Sequence, residues 1–233
     1  MMSSLISRLL LGKEPSYVKK YKKFRRAGRE LSAKISDFFV DEAVLKRAGK
    51  QLGMYRRYKG KNAMIFDSEE DINILMDHLI FDILKGGKNS VQLYLEKVGP
   101  ENETEEELLN VMACAHLSLF RVKSKSARKR TLILEDLLHG GEITVINIGM
   151  SITAIPGLIF FLRLVPLSID DLYMTTSFAF IFKEDPDYLI ERYKSMKGRI
   201  KADCEDGRLF IAFYRLFNEL SRDNVEIKFM DIV

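Results

Sequence analysis

Residues 17–29, YVKKYKKFRRAGR, carry seven Lys or Arg with Tyr17, Tyr21 and Phe24 spaced among them. Clustered ammonium and guanidinium groups attract phosphate backbones by Coulomb forces and counterion release, without reading sequence. Lys19, Lys20, Lys22, Lys23, Arg25, Arg26 and Arg29 are therefore the candidate nucleic-acid-binding residues, with Arg56, Arg57, Lys59 and Lys61 as possible auxiliaries. The same pattern also describes the wet side of an ordinary helix, and spacing separates the two contributions. Tyr17, Tyr21, Phe24, Gly28, Leu31, Ile35 and Phe38 recur at steps of four and three, the rhythm of one helix face. At about 100° per residue, Lys19, Lys22, Lys23, Arg26 and Arg29 fall opposite that seam, and Lys20 and Arg25 flank it. The aromatics are thus assigned to packing, and only the charges point to a ligand.

Other chemistry is sparse. His139 is expected at a hairpin tip beside Glu135 and Asp136, and Asp170-Asp171 form a pair of adjacent carboxylates. A metal-dependent enzyme using Glu135, Asp136, His139, Asp170 or Asp171 is one alternative these residues leave open, since acid/base or metal chemistry needs such groups gathered in a pocket. His78 and His116 read as structural histidines in helices, and no His-x-x-x-His or His-Glu-x-x-His spacing occurs. The stretch KGGKNS has Asp82 where a phosphate loop needs its first Gly and Asn89 where it needs Ser or Thr, so it reads as a helix end and the next cap. Cys114, in an apolar helical pattern, and Cys204, in a polar loop, form no motif, and a reduced, cytoplasmic compartment is expected. No Gly-x-Ser-x-Gly elbow is present. No catalytic residue, metal ligand or cofactor is assigned, and the leading expectation is a non-catalytic binding module.

Charge is unevenly distributed. Residues 1–62 hold 17 Lys and Arg against 5 acids, a balance of +12, whereas the remaining 171 residues hold 20 against 28, a balance of −8. A basic arm attached to an acidic body suits nucleic acid or an acidic protein surface as partner, and it also permits docking of the arm on its own body or on a twin subunit. A homo-oligomer formed through the seam Tyr17, Tyr21, Phe24 and Leu31 is the second functional alternative. A lipid surface, with LISRLLL as the inserted segment, is a weaker one. MMSSLISRLLLG lacks the small-residue cleavage site of a secretory signal.

Residues 143–162 run twenty positions without a charge, long enough to span a bilayer. The run is rich in β-branched residues, holds Asn147, and is broken by Pro156-Gly157, so two strands joined by a loop are expected and a membrane span is not. Upstream, the periodicity predicts one helix over 16–52 or two with a break between Asp37 and Asp41. A further helix is expected from Ser68, with the stripe Ile72, Leu75, Met76, Leu79, Ile80, Ile83 and Leu84. Ser90–Val98 and Thr104 to about Leu117 complete the helical part. From Leu119 the period becomes alternating in LFRVKS, TLILEDLL, EITVINI, LIFFLRLVPL and LYMTTSFAFIF. Helices over Pro186–Met196 and Arg208–Leu220 follow, and VEIKFMDIV suits an added edge strand.

The segments FDSEEDINILMDHLIFDILKGGKNSVQLYLEK, SLFRV, LILEDLLHGGEITVINIGMS and PGLIFFLRLVPL with MTTSFAFIF resemble the recurring segments of an uncharacterised conserved microbial protein family, over roughly residues 25–185. The resemblance implies a soluble protein and no activity. The expected fold is α+β, with N- and C-terminal helices flanking a five- or six-stranded antiparallel β meander or small barrel. Its parts are a basic helical region at 1–117, a β unit at 118–183 and a helical region with an edge strand at 184–233, as separate units or one continuous domain.

Overall fold

The computed structural model describes residues 14–220; LISRLLL and the expected strand in VEIKFMDIV lie outside them. Helix α1, Ser16–Phe39, and helix α2, Glu42–Leu52, are separated by Val40 in extended conformation, so the break between Asp37 and Asp41 is real. The Asp41 carboxylate caps α2 by accepting from the Val44 N–H at 2.8 Å. Strands β1, Tyr55–Tyr58, and β2, Lys61–Met64, then form a separate two-stranded hairpin. Its turn residues Lys59 and Gly60 both have positive φ, 46° and 81°, as the tight hairpin turn requires. This hairpin had no alternating apolar pattern to announce it.

Helix α3, Glu70–Phe81, starts two residues later than its expected Ser68 cap. Asp71 instead reaches back to the N–H groups of Asp67 and Ser68, at 2.6 and 3.1 Å. Ile72 is exposed and does not belong to the buried stripe. Helix α4, Ser90–Lys97, carries a complete capping box of Asn89 and Gln92. Helix α5, Glu103–Met112, is capped by Asn102 and not by Thr104. It stops short of His116, which opens a strand.

That strand, β3 (His116–Ser126), begins a closed ring with β4 (Thr131–Asp136), β5 (Glu142–Ile146), β6 (Ile159–Pro166) and β7 (Leu172–Thr175). The ring order is β3-β4-β5-β7-β6 and back to β3. On its other edge β6 pairs with β7 at Leu164–Pro166 and with β8, Phe180–Phe182, at Ile159–Phe161, so two short strands share one stave. The small barrel is therefore the form the β unit takes, with one parallel pair, β5 with β7, among antiparallel ones. The parallel pair follows from the connection between β5 and β6, which contains the short helix α6, Met150–Thr153, and lets the chain cross before returning. The uncharged run at 143–162 is β5, α6 and the start of β6, and among the described residues no helix is long and apolar enough to cross a membrane.

Alternation along β6 sorts its side chains between two environments. Phe160, Leu162 and Leu164 point into the barrel with Phe120, Val122, Leu132, Leu134 and Val145. Ile159 and Phe161 point outward, beneath α2, α3, the helix α7 (Pro186–Met196) and the helix α8 (Glu205–Leu220). Phe213 of α8 stacks on Phe161 at 4.4 Å between ring centroids, and Phe217 on Phe180 at 4.9 Å. Val165, also outward, lies under α1, α4 and α5 together with Ile146, Leu172 and Met174. Three apolar clusters thus meet along one strand.

Phe24 is 1% exposed within the cluster under α1. Its truncation removes a ring that the surrounding helices cannot replace. Phe24→Ala should lower the unfolding free energy by about 3–5 kcal/mol in a urea titration followed by circular dichroism; a loss below about 1 kcal/mol would show that α1 is not part of the core.

Candidate functional site

Helix α1 divides its cations as the 3.6-residue period requires. Val18, Tyr21, Phe24, Leu31 and Ile35 are buried, so the seam is consumed inside the chain and is not displayed for a partner helix. Lys20 and Arg25, which flank the seam, are half-buried and hold α1 to the body. Lys20 pairs with Glu107 and donates to the Ser168 carbonyl, and Arg25 donates to the carbonyls of Thr175 and Thr176 at 3.2 Å each. Tyr17 donates to the Lys129 carbonyl at 3.1 Å. Lys22 pairs with Glu14 at 2.8 Å, and Arg26 stands 3.9 Å from Glu30 with both side chains mostly in water. Lys19, Lys23 and Arg29 are exposed and form no ion pair among the described residues. The basic arm therefore docks in part on its own acidic body, and it keeps an outward row of charge. Phe120 and Phe178 are buried and Tyr173 half-buried, so these aromatics of the β unit offer no open stacking platform for bases.

A second charged group lies where no solvent reaches. Arg163 of β6 is 1% exposed, and its guanidinium donates to Asp77 at 2.8 Å and to both oxygens of Asp82 at 2.8 and 2.9 Å. Its Cζ lies 4.5 Å from the centre of the Phe81 ring and 5.9 Å from that of Phe210. Asp82 also meets His78 Nδ1 at 3.0 Å, while His78 Nε2 meets Gln51 Oε1 at 2.9 Å and the ring stacks on Phe210. Burial raises the pKa of the Asp77 carboxyl, the attraction of Arg163 opposes that and the repulsion of Asp82 adds to it, and the net shift is upward. His78 lies in a helix, as expected, and is fully buried.

The third group sits at the end of the barrel where β3 starts and β4 stops. His116, Ser118 and Phe120 share the inward side of β3, and Leu132, Leu134 and Asp136 that of β4. Asp136 Oδ1 accepts from Ser118 Oγ at 2.5 Å and from the N–H groups of Leu138 and His139 at 3.0 Å each. Its Oδ2 faces His116 Nε2 at 2.6 Å and His139 Nδ1 at 3.3 Å. Burial alone would raise the Asp136 carboxyl, but hydrogen bonds from His116, Ser118 and the two backbone groups hold it well below the usual range. The expected neighbourhood of His139 and Asp136 is present, and His116 joins it. Glu135 points the other way, to Arg121 at 3.1 Å, and Asp170 and Asp171 are exposed in a loop and belong to neither group.

The spacing alone concealed two of these residues. Apolar residues continuing through Met112 to Leu119 favour a helix at His116, whereas the period-two series His116-Ser118-Phe120 is the signal of the strand that forms. Arg163 was a lone cation inside an otherwise apolar strand, a position that demands a buried carboxylate partner. Cys114, expected in an apolar helix, is exposed after the end of α5. KGGKNS is a tight turn, with Gly86 and Gly87 at positive φ, Lys85 donating to the Phe39 carbonyl at 2.7 Å and Lys88 paired with Glu96. A family model described as a family of unknown function, DUF7986, matches residues 16–222. No curated protein and no solved structure matches.

Removal of the Arg163 guanidinium leaves two carboxylates buried without their counter-charge. Arg163→Met should cost about 3–5 kcal/mol at pH 7. The cost should shrink on acidification. A carboxyl whose folded pKa lies above its unfolded value binds its proton more tightly in the folded state, so lowering the pH through that folded pKa stabilises the fold. Thermal melts at pH 7 and pH 5 should show the variant's deficit narrowing, and a deficit that widens at pH 5 contradicts the assignment.

Proposed function

The chain belongs to the DUF7986 family of unknown function, which transmits no activity to it, and we propose from its own surface that it is a non-catalytic protein that binds nucleic-acid phosphates. The observation that carries this reading is the outward row Lys19, Lys23 and Arg29. In a body rich in carboxylates, four of the seven cations of this stretch find acceptors, and these three form no ion pair among the described residues. Charges held on a well-packed helix, with their seam residues fixed below them, meet a polyanion without a large loss of backbone freedom.

Two further features support it. The β1–β2 hairpin presents Arg57, Tyr58, Lys59 and Lys61 to solvent, with Tyr58 53% exposed and Lys59 Nζ over its ring at 5.3 Å. An exposed ring among cations offers a base a stacking surface. In addition, five-stranded barrels of the oligonucleotide-binding type use the loops after their first and fourth strands. Here α1 reaches those same two loops, at Lys129 and Ser168. The likeness of connectivity assigns no function by itself, but it sets α1 across the loops that such barrels use for ligands.

Binding should be insensitive to base sequence and should weaken steeply with salt. For a fluorescent single-stranded oligonucleotide, replacing Lys19, Lys23 and Arg29 together by Gln should lower the slope of log affinity against log salt by about 2, from roughly 0.7 per lost phosphate contact. Absence of binding by the parent chain at low salt, or an unchanged slope in the triple variant, contradicts the proposal.

A further inference from the structure

We propose that His116, Asp136 and His139 form a binding site for one divalent transition-metal ion at the end of the barrel. Their donor atoms, one from each residue, lie within 4.8 Å of one another. Two imidazole nitrogens and one carboxylate oxygen make a donor set of borderline softness, suited to Zn²⁺ or Fe²⁺ and poorly suited to Mg²⁺ or Ca²⁺, which take oxygen ligands.

The carboxylate is already held as a ligand has to be. Three donors saturate Asp136 Oδ1, so Oδ2 is left facing the two imidazoles and cannot rotate away without giving up those hydrogen bonds. Such fixed outer partners orient a ligand and are a recurring part of metal sites. Asp136 is 3% exposed, whereas the His139 side chain is 56% exposed, so the group is anchored on its protein side and open on its solvent side.

Accommodating an ion requires the three donors, now within 4.8 Å of one another, to settle at one common spacing. Bonds of about 2.0–2.1 Å in tetrahedral geometry separate ligand atoms by about 3.3 Å. His139 Nδ1 and Asp136 Oδ2 are already 3.3 Å apart, and His116 Nε2 has to retreat from 2.6 Å to a similar distance. The ion then takes the place of the ring protons that these contacts share. Three protein donors leave a fourth position for water, the arrangement of sites that are not purely structural. The inference is independent of the nucleic-acid reading, since none of the three residues belongs to α1 or the hairpin.

Isothermal titration of the chelator-treated full chain with Zn²⁺ tests it, alongside His116→Gln and His139→Ala. His139 is exposed enough that its truncation should leave the fold intact, as far-ultraviolet circular dichroism will verify. One ion per chain is expected, with affinity reduced more than about tenfold in each variant, because a direct ligand contributes at least as much as an outer partner. Asp171→Asn and Cys114→Ser should bind as the parent does. Absence of a stoichiometric site in the parent, a smaller reduction in either His variant, or loss of binding in Cys114→Ser, which would place the ion on the exposed thiol, overturns the proposal.

Discussion

A single guanidinium is placed where the three apolar clusters of the molecule come together. Along the outer face of β6, Ile159 and Phe161 belong to the cluster under α8 and Val165 to the cluster under α1, with Arg163 between them. Its carboxylate partners come from the end of α3, and its ring partners come one from each outer cluster, Phe81 and Phe210. A buried cation of this kind is not a source of net stability, because desolvation costs about as much as the ion pairs return. What it supplies is a demand: α3 must end at Asp82 beside this point of the barrel and nowhere else, or a charge is left unpaired. The placement of the helical layer on the β unit follows from that demand. Gly207 of α8 fits the same constraint, because a Cβ there would stand 3.2 Å from Asp82 Cβ.

The basic helix obeys the second constraint, that of its own period. Cations next to the apolar seam are drawn to the body and satisfy carbonyls and a carboxylate; cations opposite the seam cannot reach it and remain in water. The same helix thus supplies both adhesion and charge display. Because Tyr21, Phe24 and Leu31 are buried, a dimer through Tyr17, Tyr21, Phe24 and Leu31 would require α1 to leave the core.

Local rules carried much of this into the sequence. The steps of four and three at 21–35, the Asn89-Gln92 cap and the alternation at 131–134 each express a short-range cause, and each is found in the structure; at its end the seam shifts by one, with Phe39 buried and Phe38 42% exposed. What stayed hidden has long-range causes. The ring closure of β3 on β6 and the parallel pairing of β5 with β7 join residues 28 to 48 positions apart, which no window of periodicity contains. The histidine group was half legible: Asp136 and His139 are three residues apart, but His116 reaches them only because β3 pairs with β4. The hairpin at 55–64 is a polar ribbon whose evidence is a Lys-Gly turn, too weak a mark against the helical pattern before it.

Native-state hydrogen exchange at the amides of α3 and β6 addresses the clasp at Arg163 most directly. If the buried guanidinium makes the helical layer and the barrel one cooperative unit, Leu79 and Ile80 of α3 and Phe161 and Leu162 of β6 open with the same free energy. Exchange of the α3 amides at a markedly lower free energy than those of β6 would show that the helices detach on their own, and would contradict the account.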